Sequence, residues 1–503
     1  MSATSITEIP RISTGCSGLD AILNGGIDPN RLYLYEGRPG AGKTTLALQF
    51  LLEGARLGEP CLYITLSETT RELRLVAQRH GWSLEGIDVF ELESPDSVLY
   101  PSQEQTVFHP AELELTETTK QILERVSKVN PRRVVFDSLS EMRLLAQNPL
   151  RYRRQVLALK HFFAMRQCTV ILLDDLSSDV NDLQLHSITH GVVSLEQLAI
   201  DYGAARRRLC VVKMRGLAFR GGYHDFNIIK GGLEVFPRLV AAEHKEGFAE
   251  GFVSSGNAGL DELLGGGLER GNNALLIGAA GVGKSSVALS YAIAAAGRGE
   301  RSAIFAFDEG LATLLARARS LGMDLQAALD SGLIRHRQID PAEMSPGEFA
   351  ALVRRSVEID GAKLIIIDSL NGYLNAMPDE RFLILQMHEL LSYLGFRGVV
   401  SIMVLAQHGL IGPMQTPVDI SYLSDTVLML RYFEAHGRIR RALSVVKKRP
   451  GPHEQTIREF RLGHGGLDVG PPLTKFTGMF AETPLFTGGE HGPLLSESVD
   501  GVQ

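Results

Sequence analysis

One stretch of this 503-residue chain occurs twice. TGCSGLDAILNGGI (14–27) returns as SGNAGLDELLGGGL (255–268), with Gly18, Leu19 and Asp20 answered by Gly259, Leu260 and Asp261 at a spacing of 241. The same spacing carries GRPGAGKT (37–44) onto GAAGVGKS (278–285), LSET (66–69) onto FDEG (307–310), and Gly81-Trp82-Ser83-Leu84 onto Gly322-Met323-Asp324-Leu325. Further on, VVFDSL (134–139) meets IIIDSL (365–370) at 231, and VVKMRG (211–216) meets VVKKRP (445–450) at 234. Such drift is what loop insertions and deletions produce. A period this long is no solenoid unit, so it describes two tandem copies of one domain. The expected division is 1–240, then 241–480, joined through the polar segment at 238–251, with a mobile tail rich in Gly, Pro and acidic residues over 481–503.

Within each copy, short apolar runs alternate with amphipathic stretches, which predicts an α/β fold: a mainly parallel twisted sheet flanked by helices. The first copy's strands are expected at 32–36, 62–66, 133–137, 169–174, 192–195 and 209–213. The second copy's are expected at 274–277, 303–307, 364–368, 401–406, 426–430 and 443–447. Helices are expected to follow Lys43 and Lys284 and to end near Gly58 and Gly297, where glycine can take a left-handed cap.

Composition narrows the class. With 44% hydrophobic and 22% charged residues the chain can build cores, and it has no apolar run near the ~18 residues of a membrane span. The N-terminus lacks a secretory profile, which points to a cytoplasmic protein. Cys16, Cys61, Cys168 and Cys210 form no CxxC pair, arguing against a zinc site or a disulfide framework. A net charge of −7 argues against a protein that coats nucleic acid.

The two GxxxxGK[ST] segments each sit between an apolar run and a helical stretch, the setting this motif requires. Gly37, Gly40 and Gly42, and likewise Gly278, Gly281 and Gly283, let backbone N–H groups turn in around a polyphosphate. The helix N-terminus, at Thr44-Thr45 and Ser285-Ser286, adds positive potential. Lys43 and Lys284 are placed to reach the terminal phosphates of ATP, and Thr44 and Ser285 to bind Mg2+. Asp137 and Asp368 each close an apolar run before Ser-Leu and are the expected acidic partners of that magnesium, acting through water. Glu68 and Glu309, at the end of the next strand, are candidates to orient or deprotonate an attacking water. Ser67 precedes the first, whereas Asp308 precedes the second; two adjacent carboxylates repel, so the second copy is expected to have the stronger acid/base potential. Lys213 and Arg215, like Lys447, Lys448 and Arg449, follow the last apolar run of each copy, as plain charged strand ends or as phosphate sensors acting across a subunit boundary.

Together with FAFDEG, QIDPAEMSPGEFA and ISYLSDTVLML in the second copy, these motifs strongly resemble the KaiC family, the double-domain branch of the RecA-like P-loop ATPases, from Ile12 to about Phe480. The resemblance implies a double-ring homohexamer with ATP between neighbouring subunits, slow ATPase activity in the first domain and serine/threonine autokinase activity in the second. It places the family's acidic pair on Ser67-Glu68 and Asp308-Glu309, its basic residues reaching the next subunit's site on Lys213, Arg215, Lys447 and Arg449, and its phosphoacceptors on Ser421-Tyr422. Tyr422 stands where the family has threonine, leaving Ser421 as the acceptor, and the C-terminal tail departs from that of the clock proteins. The function expected is a ring-shaped signalling ATPase that reports nucleotide state through Ser421 to a protein partner. Two other readings are a RecA-like motor on nucleic acid, through basic clusters at 151–154, 206–208 and 438–441, and a scaffold that assembles on ATP with little turnover.

Overall fold

In the first unit, side-chain alternation sorts each inner strand between two cores. Leu32 and Leu34 join one apolar cluster with Leu62, Ile64, Val134, Phe136, Val170 and Leu172. Tyr33 and Tyr35 join the other with Tyr63, Val135, Ile171 and Leu173. A sheet buried on both faces is what a parallel arrangement with helices on each side requires.

The computed structural model describes residues 10–92, 110–176, 183–199, 203–374, 380–407, 421–435, 437–474, 476–477 and 485–486. The backbone separates into two units, Met1–Arg238 and Leu239–Gln503. The first contains β1 (Leu32–Glu36), β2 (Cys61–Thr65), β3 (Ile87–Glu91), β4 (Arg133–Asp137), β5 (Thr169–Asp174), β6 (Gly191–Leu198), β7 (Arg206–Met214), β8 (Tyr223–Ile229) and β9 (Gly232–Phe236). Their order across the sheet is β3-β2-β4-β5-β1-β6-β7-β8-β9. Pairing is parallel from β3 to β6 and antiparallel from β6 to β9.

The second unit begins with a 3-10 turn, Ala241–His244, followed by a ribbon of β10 (Phe252–Val253) with β11 (Leu268–Glu269). Its sheet contains β12 (Asn273–Ala279), β13 (Ser302–Ala306), β14 (Ile334–Gln338), β15 (Leu364–Asp368), β16 (Val400–Gln407), β17 (Thr426–Ala435), β18 (Arg438–Lys448), β19 (Arg458–Gly463) and β20 (Gly466–Pro472). The order, β14-β13-β15-β16-β12-β17-β18-β19-β20, repeats the first sheet strand for strand. Two RecA-like domains in tandem account for both sheets. The expected tail, 481–503, lies outside the described residues except for Leu485–Phe486, which pair with Phe476–Thr477. Among the described residues no helix is long and apolar enough to cross a membrane.

Every expected strand is present, and the edge strands β3 and β14 and the antiparallel β8, β9, β19 and β20 are additional. Ile334–Gln338 shows why they escape a hydropathy reading: only Ile334 is buried, because an edge strand has no neighbour to cover its far side. The helix Lys284–Gly297 corrects one detail. Gly297 is its last helical residue, and the left-handed glycine is Gly299, at φ +77°, the counterpart of Gly58 at +74°.

The first core also encloses a charge. Arg133, fully buried, meets Glu59 at 2.5 Å and donates to the carbonyls of Ser13 and Phe50 at 2.8 and 2.9 Å. Its guanidinium lies over the Phe50 ring, 4.7 Å from the centroid. This arginine pins the repeated N-terminal segment to the helix Lys43–Arg56 and to the start of β4.

Candidate nucleotide sites

In each unit the carboxyl ends of the central parallel strands converge, as α/β sheets generally place their ligands. From β1 the chain turns through 37–42 into the helix Lys43–Arg56; from β12 it turns into Lys284–Gly297. Gly42 and Gly283, at φ +102° and +113°, have backbone that other residues rarely adopt. Gly40 and Gly281, in the middle of each loop, are left-handed as well, at φ +82° and +77°. Only side-chain ends approach them: a Cβ on Gly40 would meet Gln197 Oε1 at 3.5 Å, an ordinary contact, and one on Gly281 the Tyr432 hydroxyl at 3.2 Å, a close one. Backbone conformation, rather than want of space, is therefore what calls for glycine at these two positions. Space decides at the start of the loops. A Cβ on Gly278 would lie 2.1 Å from the Leu430 carbonyl oxygen, and one on Gly37 2.3 Å from that of Leu195. The loops thus press against β6 and β17, with Gly37 N and Ala41 N donating to the carbonyls of Asp174 and Arg38 and Val282 N to that of Ala279. Thr45 and Ser286 are buried in the first turn of the helices behind them.

Lys43 and Lys284 are both buried and fold back over the loops. Lys43 Nζ donates to the carbonyls of Gly37 and Arg38 at 2.7 and 3.2 Å, and Lys284 Nζ to those of Gly278 and Ala279 at 2.9 and 2.7 Å. Their electrostatics differ. Lys43 is also 2.8 Å from the Asp175 carboxylate. Among the described residues Lys284 has no ion-pair partner, and burial pushes its ammonium down to about 8, against a weaker opposing effect of Asp368.

Asp137 and Asp368 end β4 and β15, and each is followed by a cis peptide to serine. Thr44 Oγ1 lies 3.5 Å from Asp137 Oδ2, and the Ser285 hydroxyl hydrogen-bonds Asp368. Burial raises both carboxyls above the usual range, so each is short of the positive charge that a bound cation supplies. A hydroxyl beside an under-compensated carboxylate, below an anion-binding loop, suits magnesium on a polyphosphate. Tyr63, fully buried on β2, donates to Asp137 Oδ2 at 2.5 Å. The second unit has Ile304 at this place, so this polar contact is the first unit's own.

Glu68 and Glu309 were expected at strand ends and instead lie three residues past β2 and β13, in the turn before a helix. Thr65 Oγ1 accepts from Glu68 N at 2.9 Å and donates to Glu68 O at 2.7 Å, fixing that turn. A Thr69–Glu72 capping box then starts the helix Thr70–His80. Burial, then the charges of Asp137, Glu72 and Asp175, push the Glu68 carboxyl up to about 7, with Lys43 opposing. Glu68 Oε2 is buried and, among the described residues, has no hydrogen-bond partner.

The second unit compensates the equivalent group. Arg317, from the helix Leu311–Ser320, lies 2.7 Å from Glu309, eight residues beyond it, where the first unit has Val76. Burial raises the Glu309 carboxyl above the usual range, and Arg317 works against it. Asp308 accepts from Ser369 Oγ. The adjacency argument, which favoured the second copy for acid/base potential, is therefore corrected: Asp308 is turned to Ser369, Glu309 is paired, and the larger rise falls on Glu68, whose Oε2 has no partner among the described residues. Ser67 leaves a further mark, since buried Ser138 Oγ, the counterpart of Ser369 Oγ, has no partner among the described residues.

Lys213 donates to the carbonyls of His186 and of Thr189, the latter at 2.9 Å, and Arg215 to that of Ser187 at 2.7 Å. Likewise Lys447 donates to Ser424 O and Arg449 to Tyr422 O, each at 2.8 Å. These basic residues thus hold the segment leading into β6 or β17 of their own chain. Ser421 opens the 3-10 turn Ser421–Leu423 before β17; its side chain lies outside the described residues. In the basic clusters, Arg208 pairs with Glu196 at 2.8 Å and Arg440 with Glu459 at 2.9 Å, which balances charge inside the sheet. Hydropathy and motif spacing could not have found Asp175 or Tyr63, which act on Lys43 and Asp137 far away in sequence, or Arg317, whose pairing with Glu309 eight residues earlier depends on how the turn before its helix folds.

The sequence model of the KaiC ATPase family matches residues 12–240 and again 253–474. Among curated proteins, the chain is 26% identical to the circadian clock protein KaiC3 of Synechocystis sp., over 98% of each chain. It is 26% identical to the circadian clock oscillator protein KaiC of Picosynechococcus sp., over 99% of this chain and 97% of that one. The KaiC of Synechococcus elongatus is also 26% identical, over 98% and 96%. Two phosphate loops on two like sheets, each within a match to the same family, have one explanation: the chain belongs to the KaiC family of ATPases and carries two tandem copies of its domain.

Proposed function

We propose that the protein is a two-site, magnesium-dependent ATPase in which the first unit is the principal hydrolytic site and the second transfers phosphate to its own chain. The observation that carries this reading is Glu68, a carboxyl pushed up to about 7 beside Asp137 and the phosphate-loop lysine, whose buried Oε2 has no hydrogen-bond partner among the described residues. A general base works best with a pKa near the working pH. Glu68 would take a proton from water as the water oxygen bonds to the γ-phosphorus and the bond to the β-phosphate oxygen breaks, releasing ADP. Lys43 and the loop N–H groups orient the phosphates. Thr44 with Asp137, and Ser285 with Asp368, would hold magnesium, whose charge offsets that of the phosphates.

In the second unit, Glu309, whose carboxyl Arg317 holds down against burial, would accept the proton of the Ser421 hydroxyl as that oxygen bonds to the γ-phosphorus and the bond to the β-phosphate oxygen breaks, leaving ADP, with Asp308 beside it. In this reading the chain assembles as a homohexameric ring in the cytoplasm and acts on a signalling protein. Within such a ring Lys213, Arg215, Lys447 and Arg449 would exchange their own-chain carbonyls for a neighbour's phosphates. The test is phosphate release and γ-labelled ATP incorporation in Lys43→Ala and Lys284→Ala variants. Hydrolysis is expected to fall mainly in the first, and label on the peptide bearing Ser421 to vanish in the second. Undiminished hydrolysis in Lys43→Ala overturns the assignment of the hydrolytic site, and no label on that peptide in the parent protein overturns the kinase half.

A further inference from the structure

The two phosphate-loop lysines share a fold and differ in one neighbour. Glu36 is in register with Asp174, and Ile277 with Leu405, each one residue before its loop. The residue that follows is Asp175 in the first unit and Ala406 in the second. Their backbones are anchored alike: Asp175 N donates to Ser140 Oγ at 3.1 Å and Ala406 N to Asn371 Oδ1 at 2.8 Å. Equivalent helices after β4 and β15 provide both anchors, since Ser140 and Asn371 are the third residues beyond Asp137 and Asp368. The positions are thus structural counterparts, and only the side chain changes.

That change bears on the group that binds phosphate. Asp175 Oδ1 lies 2.8 Å from Lys43 Nζ, with the lysine 6% and the aspartate 32% exposed, and Ser140 Oγ steadies the other oxygen at 3.4 Å. A terminal phosphate and this carboxylate draw on the same ammonium, and they repel each other. The repulsion grows with the charge of the nucleotide, so a triphosphate suffers more than a diphosphate. Ala406 imposes neither effect on Lys284.

We propose that Asp175 is a specificity-determining residue of the first site, competing with the terminal phosphate for Lys43 and so lowering the preference of that site for ATP over ADP relative to the second site. The inference rests on reading both loops as ATP sites. It gives the two halves of one chain different nucleotide occupancies at the same ATP:ADP ratio, and it assists departure of the hydrolysed γ-phosphate from the unit that carries Glu68.

The experiment measures binding of a non-hydrolysable ATP analogue and of ADP to the full chain. Asp175→Ala and Asp175→Asn are made in a Lys284→Ala background, and Ala406→Asp in a Lys43→Ala background. Losing a partly exposed competitor of a charged hydrogen bond is expected to tighten triphosphate binding at the first site about tenfold and ADP binding much less. Ala406→Asp is expected to weaken triphosphate binding at the second site by a similar factor. Asp175→Asn keeps the size of the side chain, so a packing defect in the alanine variant shows as a difference between the two. Unchanged ATP:ADP preference in both Asp175 variants, with nucleotide still bound, overturns the role of Asp175 alone. No nucleotide binding at either site of the parent protein overturns the ATP-site reading and this inference with it.

Discussion

Replacing Glu68 by glutamine removes a charge that the first unit holds at a cost, so the variant is expected to lose hydrolysis while gaining stability. The carboxyl is pushed from 4.5 up to about 7, by burial first and then by Asp137, Glu72 and Asp175. At 1.36 kcal/mol per pKa unit this displacement corresponds to about 3 kcal/mol, and screening of a partly exposed group reduces it to about 1–3 kcal/mol. The sign follows from proton binding. Between pH 4.5 and about 7 the folded chain holds a proton that the unfolded chain has released, so stability falls as pH rises across that window. Glutamine has no such dependence. Without nucleotide or magnesium, urea unfolding of the full chain is therefore expected to show Glu68→Gln gaining on the parent from pH 5 to pH 8, with the full difference above about 7. In a Lys284→Ala background, ATP hydrolysis by the parent is expected to fall about tenfold from its alkaline plateau to a point one unit below the Glu68 pKa. It should be lost in Glu68→Gln at every pH. A glutamine variant that gains nothing at pH 8, or that still hydrolyses ATP, would refute an uncompensated carboxyl acting as the base.

Arg317→Val copies the first unit's Val76 into the second and is expected to move the acid limb of second-site activity to higher pH, since Arg317 holds the Glu309 carboxyl down. Arg317→Lys should retain the parent profile, and an identical profile in the valine variant would count against the ion pair. Tyr63→Phe removes the hydroxyl that orients Asp137, so the magnesium concentration for half-maximal nucleotide binding at the first site is expected to rise several-fold and at the second to stay constant. Equal shifts at both sites would contradict it. Arg133→Met strands Glu59 and two carbonyls around a buried cation site and is expected to cost about 3 kcal/mol in chemical denaturation, whereas a loss under about 1 kcal/mol would show that the methionine side chain replaces the contacts.

Much of the molecule was legible before folding, for identifiable reasons. Buried parallel strands such as Val134–Phe136 and Ile365–Ile367 are unbroken apolar runs, and phosphate loops need glycine at set spacings whatever surrounds them. Strands at the sheet edges were not legible, because half their residues face water and Arg335 and Arg337 hide the alternation of β14. The reading of the acidic pair went astray for a related reason. Adjacency in sequence suggested that Asp308 and Glu309 repel and raise one of the two, but the side chains diverge: Asp308 meets Ser369 from beyond β15, and Glu309 meets Arg317 on the helix that follows.

The duplication, the two glycine-rich GxxxxGK[ST] loops and the aspartates that end β4 and β15 are thus properties of the sequence, since residue type and spacing at short range specify them. Which glutamate is paired with an arginine, which loop lysine is matched by a carboxylate and which strand-end aspartate is held by a tyrosine are properties of the tertiary structure. Each depends on charges and donors brought together from β1, β2, β4, β5 and their helices, where burial strengthens their interaction well beyond what water allows. Two nearly identical motifs become two different sites through Val76 against Arg317, Asp175 against Ala406 and Tyr63 against Ile304.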